Sequence, residues 1–337
     1  MKKGGSRREK VKKMFLWLLV VIGFLLVTGI IYQFGSSAKD ARAYPPPGQM
    51  VAIDEKRNLH MVIKGEALEK PTVILEAGIA SFSSSWYWVQ EDLAADTRVV
   101  AYDRAGLGWS DPAPIAHDAY ESAADLHKAL QAAGINGPYV LAGHSYGGLV
   151  MRAFTDLYSD EVVGMVMVDA SHPDQWAHMP VSRDGQLNAF TNRLSAWLAR
   201  LGIVRLFDLG GSVGRGLPAQ QEGEMRAVLN RPHSWETSGK TLAIWHKQTR
   251  VRINEAADLA DRPLVVLSVT DQPVFDEVLT SLQEELPGLS TNSVHYTVEG
   301  ANHEGLVADR KHALVVAAAI RQVLEAVENG PGPPRAE

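Results

Sequence analysis

A chain of 337 residues, 46% hydrophobic and without cysteine, can bury a large core as one domain with an insertion or as two, but holds no disulfide and no thiolate metal site. Its formal net charge of −6 hides a basic amino end: residues 1–13 carry seven Lys/Arg and one Glu, leaving 26 basic against 38 acidic residues in the rest. That balance is not a nucleic-acid binder's, and no nucleic-acid partner is expected.

The basic segment 1–13 runs into Met14–Phe34, 21 residues without a charge. At ~1.5 Å per residue this stretch reaches roughly 30 Å, the thickness of a hydrocarbon core. It exceeds the ~7–15 apolar residues of a signal peptide, and the cleavage-like Ala41-Arg42-Ala43 lies well past its end. The expectation is a single-pass signal-anchor, a transmembrane helix over 14–34 with the membrane as its partner. Positive charge before the span predicts a cytoplasmic amino end and an extracytoplasmic remainder. Residues 35–49, with Pro45-Pro46-Pro47-Gly48, read as a stiff Pro-rich linker.

Short β-rich segments follow at Met50–Ile53, Asn58–Lys64, Thr72–Glu76 and Arg98–Tyr102. Residues 119–133 carry apolar positions at helical spacing and end at Gly134, a suitable C-cap. Then Tyr139-Val-Leu-Ala142 leads into Gly143-His144-Ser145-Tyr146-Gly147, with Gly148 directly after, and Leu149, Val150, Ala153, Phe154 and Leu157 recur at helical spacing. This is strand, sharp turn and helix with a serine at the apex. A nucleophile lifted above a sheet edge in a strained turn needs glycine two residues either side, so that strand and helix pass closely. Ser145 is the candidate nucleophile, with Gly143 and Gly147 as the elbow glycines. Strands alternating with helices predict a mostly parallel sheet, whose ligands bind beyond the carboxyl ends of its strands.

Glu161–Val168 is an almost continuous apolar run, as expected of a central parallel strand, and Asp169 ends it. Residues 173–258 lose the strand–helix rhythm and hold Trp176, Trp197, Trp235 and Trp245. They read as a helical cap over the active-site edge, some of its aromatics lining an apolar pocket. The sheet resumes at Pro263–Val269 and Ser293–Glu299, followed by Gly300-Ala301-Asn302-His303-Glu304. A last helix is expected over Asp309–Val327 with Asp309 as N-cap, and 328–337 reads as a disordered tail.

The runs ILEAGIASFSSSW (74–86), VVAYDRAGLGWSD (99–111), GPYVLAGHSYGG (137–148) and VVGMVMVDASHPDQ (162–175) together resemble the serine α/β-hydrolases of the esterase/lipase superfamily. The likeness is closest to a subgroup with LEAG before the oxyanion loop and YDRAGLG after the following strand, and covers roughly residues 45–326. It implies an α/β fold with an eight-stranded, mostly parallel sheet flanked by helices. The core would be 50–172 and 259–327, with the cap of 173–258 inserted after the sixth strand. It also implies His303 as general base. For the acid it leaves two positions open: Asp271 beyond the seventh strand, out of register with the commoner pattern, and Asp169 at the end of the sixth, which is preferred. Ala77-Gly78 stands where many members have His-Gly; since the oxyanion hole needs backbone N–H groups, Tyr146 and, by position, Ile79 would supply them, with Gly78 as the loop glycine. Asp103-Arg104 reads as a structural ion pair shaping the loop, and His144 as a packing residue within the elbow. The implied function is a membrane-anchored serine hydrolase that cleaves an ester or related acyl bond of a small apolar substrate through an acyl-enzyme. An acyltransferase with the same triad, or a non-enzymatic ligand-binding module on the same scaffold, is the alternative. No cofactor and no metal are expected.

Overall fold

The computed structural model describes residues 7–66, 69–178, 185–211, 213–269 and 276–330. It opens with one unbroken helix, α1 (Arg7–Ala43), whose side chains are exposed throughout residues 7–28. This corrects the linker expected over 35–49: residues 35–43 are helical, and only 44–48 separate α1 from the first strand. Ser36–Ala43 contains no glycine or proline to break the helix. Pro45 then disfavours helical geometry at Tyr44, which is where the helix stops. The carboxyl-terminal part of α1 is tied down as well, since Gln33 Nε2 donates to the Asn230 carbonyl at 2.7 Å and Asp40 pairs with Arg205 at 2.7 Å.

Eight strands follow: β1 (Gln49–Ala52), β2 (Asn58–Lys64), β3 (Thr72–Glu76), β4 (Val99–Tyr102), β5 (Tyr139–His144), β6 (Val162–Val168), β7 (Leu264–Val269) and β8 (Ser293–Val298). They form one sheet in the order β1-β2-β4-β3-β5-β6-β7-β8. The β1/β2 and β2/β4 pairs are antiparallel and the rest parallel. Every residue of β3, β4, β5 and β7 is buried. Near-continuous apolar runs are therefore required, because helices cover both faces. On one face α2 (Tyr87–Leu93) packs with a carboxyl-terminal helix against Val73, Leu75, Val99 and Val140. On the other, α3 (Ala119–Ala132) and α4 (Tyr146–Leu157) cover Ile74, Val100 and Leu141. Neighbouring residues of one strand thus serve opposite cores, as the period of two demands. Asp118 caps α3 by accepting from the Tyr120 and Glu121 amides, and Gly134 ends it at a φ of +69°.

Between β6 and β7 the described chain is helical: α5 (Gln175–His178), α6 (Gly185–Arg200), α7 (Ile203–Leu206), α8 (Ala219–Leu229), α9 (Pro232–Ile244) and α10 (Arg250–Glu255). Then come α11 (Asp276–Glu285), α12 (Gly305–Ala308) and α13 (Arg310–Asn329), the last capped by Asp309, which accepts from the Lys311 amide. The four cap tryptophans divide. Trp176 and Trp245 pack into the core, Trp235 faces a cavity, and Trp197 points outward, 65% exposed.

Candidate active site

β5 delivers the chain to Ser145, whose φ of 55° and ψ of −126° lie outside the regions a side chain adopts without strain. The flanking glycines explain how so sharp a turn closes. A Cβ on Gly143 would lie 2.6 Å from the carbonyl carbon of Gly147, and one on Gly147 would lie 2.4 Å from the Glu76 carbonyl oxygen. Neither contact is tolerable, and both obstacles are backbone. Tyr146 opens α4, so its N–H is among the first-turn donors that have no partner inside the helix.

Ser145 lines a cavity of about 360 Å³ whose floor includes Gly78, Ile79, His144 and His303. The cap roofs it with Asn192, Leu209, Met225, Leu229 and Trp235. His303 reaches this floor from the loop after β8, and its Nδ1 lies 2.5 Å from Asp169 Oδ2. Asp169 ends β6 at 3% exposure and a φ of 41°. An Nδ1–H that donates to a carboxylate leaves the neutral ring's lone pair on Nε2. Burial pulls the His303 pKa down, but the hydrogen bond to Asp169 and the charge of that carboxylate together outweigh it, leaving the pKa above its ordinary value. The other acid candidate, Asp271, lies outside the described residues.

His144 does more than pack. Its Nε2 donates to the His303 carbonyl at 2.9 Å, and the two rings lie 4.5 Å apart. Burial first, and then the neighbouring imidazole, hold its pKa well below the ordinary value. A neutral His144 therefore steadies the His303 backbone without competing for its proton.

The expected Asp103–Arg104 pair does not form between those two residues. Asp103 accepts from His60 Nδ1 and from the Ser83 and Trp109 amides, each at 2.9 Å. Arg104 turns the other way, pairing with Glu76 and donating to the carbonyls of Ala77 and Gly78. Tyr102 donates its hydroxyl to the same Glu76 carboxylate. Burial raises the Glu76 pKa against the opposing charge of Arg104. The Gly78–Ile79 peptide is trans, so its C=O and N–H point oppositely. Arg104, holding the carbonyl end at 2.5 Å, directs the Ile79 N–H away from itself. The same guanidinium lies 5.5 Å from the Tyr146 ring centroid, so it sits beside one expected oxyanion donor and bonds the carbonyl of the peptide that carries the other.

Sequence reasoning missed this Glu76–Arg104–Tyr102 cluster, the role of His144, and which cap residues roof the cavity. The run LEAG…YDRAG contains the cluster, but nothing in the spacing says that Arg104 reaches back 28 residues to Glu76 rather than to its neighbour. Chemically, a strained serine, a carboxylate-bound imidazole and directed backbone N–H groups around one cavity form a set able to support nucleophilic attack on a carbonyl.

A model of the alpha/beta hydrolase family matches residues 73–319. Among curated proteins, the chain is 31% identical over 206 residues to an uncharacterized protein of Schizosaccharomyces pombe, covering 53% of this chain. It is 28% identical over 137 residues to epoxide hydrolase 4 of Mus musculus, covering 40% of this chain. In both cases it spans only 37% of the relative's length. Among solved structures, a thermophilic esterase from Thermogutta terrifontis superposes with a TM-score of 0.61 at 19% identity, covering 83% of this chain and 98% of that one. A membrane phospholipase A described as a bacterial virulence factor gives 0.60 at 17% identity, covering 96% of this chain and all of that one. At such identities the likeness is one of fold.

Proposed function

The chain belongs to the alpha/beta hydrolase family, and from that premise we propose that it is a membrane-anchored serine hydrolase cleaving a carboxylic ester or related acyl bond. Ser145 Oγ attacks the carbonyl carbon while His303 Nε2 takes its proton. Asp169 holds the imidazole through Nδ1 and stabilises the imidazolium. The N–H groups of Ile79 and Tyr146 receive the oxyanion as the tetrahedral intermediate forms. Its collapse expels the alcohol, to which His303 returns the proton, and leaves an acyl-enzyme. Water activated by the same histidine then releases the acid and frees Ser145.

The observation that carries this reading is the convergence at one cavity of Ser145, at a left-handed backbone angle, with a His303 whose Nδ1 lies 2.5 Å from Asp169. A serine at the elbow favours acyl chemistry, since its hydroxyl can form and release an acyl ester. The apolar cap side chains Leu209, Met225 and Leu229 favour an apolar acyl group. α1, apolar over Met14–Phe34 and preceded by basic residues, supports a membrane anchor with the catalytic domain outside the cytoplasm. Ser145→Ala tests the assignment, because alanine fits the elbow and lacks the nucleophile. Turnover of p-nitrophenyl esters should vanish at unchanged melting temperature; substantial turnover by a well-folded variant would sink the reading.

A further inference from the structure

We propose that an exposed apolar ridge on the cap is a second membrane contact, seated in the leaflet from which α1 emerges. The ridge comprises Phe190, Leu194 and Trp197 along α6, then Leu206, Phe207 and Leu209 at and beyond α7. Leu206 and Phe207 are each 67% exposed and Trp197 65%, although α6 and α7 bury Ala189, Ala196, Ala199 and Val204 against the protein. Among the described residues, helix α6 therefore has a second apolar face with no protein packed on it.

The register of α1 against the cap says what covers that face. The cap grips α1 from Gly29 onward: a Cβ on Gly29 would lie 2.3 Å from the Leu201 carbonyl oxygen, and one on Gly202 would lie 2.9 Å from the Tyr32 ring. Farther along, Gln33 and Asp40 are bonded to Asn230 and Arg205. The apolar residues free of the cap are therefore only Met14–Thr28. Fifteen residues reach about 22 Å, while a hydrocarbon core is about 30 Å thick. The missing ~8 Å is supplied by Gly29–Phe34, which lie against the cap. A span that crosses the bilayer must draw the Leu201–Gly202 corner into it, and the ridge flanks that corner in sequence on both sides. An immersion of about 8 Å is within the ~5–10 Å of interfacial elements.

The side chains suit a lipid surface. Residues 185–209 hold three arginines and a single carboxylate, Asp208, in a chain otherwise acidic beyond its first thirteen residues. Arg200, paired with Glu236, lies 5.0 Å from the Trp197 ring centroid, a pairing suited to the headgroup layer. Leu209 belongs to both regions: it is 54% exposed and also lines the cavity above Ser145. The ridge thus joins the leaflet to the proposed catalytic cavity, which gives an apolar substrate a path from lipid.

The proposal rests on the anchor reading above, and the test separates the two. Because the chain has no cysteine, F207C, V20C and L157C each place one nitroxide in the full chain, reconstituted in vesicles of phosphatidylethanolamine and phosphatidylglycerol. Val20 lies in mid-span, and Leu157 at the end of α4 away from the elbow. Collision with oxygen and with a water-soluble nickel chelate reads depth. F207C should behave as V20C, oxygen-accessible and nickel-excluded, while L157C meets nickel freely. Nickel access at F207C matching L157C, with V20C still buried, overturns the ridge and leaves the anchor standing. Nickel access at V20C overturns both. Dipolar broadening between F207C labels that unlabelled chain dilutes away would put a second copy on the ridge in place of lipid, and would also overturn the proposal.

Discussion

Asp169 lies almost fully buried at the end of β6, with its Oδ2 against Nδ1 of His303, and it governs both the tautomer and the titration of that ring. If His303 is the base, kcat/KM rises with pH as the imidazolium loses its proton, with a midpoint above the ordinary 6.5 because Asp169 favours the charged form. Asp169→Asn removes that charge and leaves only the weaker pull of Glu304 against burial, the largest influence on the ring, so the midpoint should move below the ordinary value. The same change should lower kcat on the order of 10⁴-fold, the loss that the equivalent substitution causes in a serine-protease triad. A pH profile of wild type and variant at matched melting temperature checks both. Arg104 acts one step further out, as a positioning residue. Arg104→Lys keeps a charge against Glu76 but cannot fork across the Ala77 and Gly78 carbonyls. It should cut kcat with KM little changed, by less than the roughly 10²–10³-fold loss of an oxyanion donor. An equal change in kcat and stability, with KM altered, would mark Arg104 as merely structural. Ser145 stands out in the sequence because its strand–turn–helix pattern can be read locally, and His303 stands out through the family resemblance, which places a histidine after the last strand. Asp169 is legible only as one of two candidates. His144, Arg104 and Glu76 are not, because their partners lie across the sheet: the bonds of His144 to His303 and of Arg104 to Glu76 are tertiary facts.

Among the secondary-structure elements, the eight strands fall within a residue or so of the segments read from the sequence; for β3, β4, β5 and β7 the reason is burial on both faces, which leaves a strong local signature. Helix α1 extends beyond its apolar stretch. An apolar count marks where a helix meets lipid, and says nothing about a polar continuation such as Ser36–Ala43, whose Asp40 finds its partner Arg205 165 residues away. The cap is legible as helical by loss of rhythm, but its contacts are not. Two glycine substitutions separate these elements. Gly147→Ala places a Cβ 2.4 Å from the β3 backbone, which should force α4 off the sheet and cost on the order of 1–3 kcal/mol or abolish folding. Gly29→Val meets the Leu201 carbonyl instead. It should loosen α1 from the cap and lower the melting temperature in detergent, while leaving ester turnover measurable. Loss of turnover with no change in melting temperature would contradict that division of labour.

Across the full chain, a long amino-terminal helix joins an alpha/beta hydrolase core through its cap. A basic amino end before the apolar span predicts that intact cells shaved with protease lose the domain, and that alkaline carbonate leaves the chain in the membrane. A protected domain in the soluble fraction would reverse that topology. In the proposed function, anchoring places the domain, and its chemistry depends on one serine among the many in the chain being activated. Labelling of the full-length protein by a fluorophosphonate, followed by mass mapping of the adduct, reads that activation directly. One adduct per chain is expected, on Ser145, sharply slowed in Asp169→Asn. Ester turnover with no adduct on Ser145, or with the adduct on another residue, would contradict the assignment.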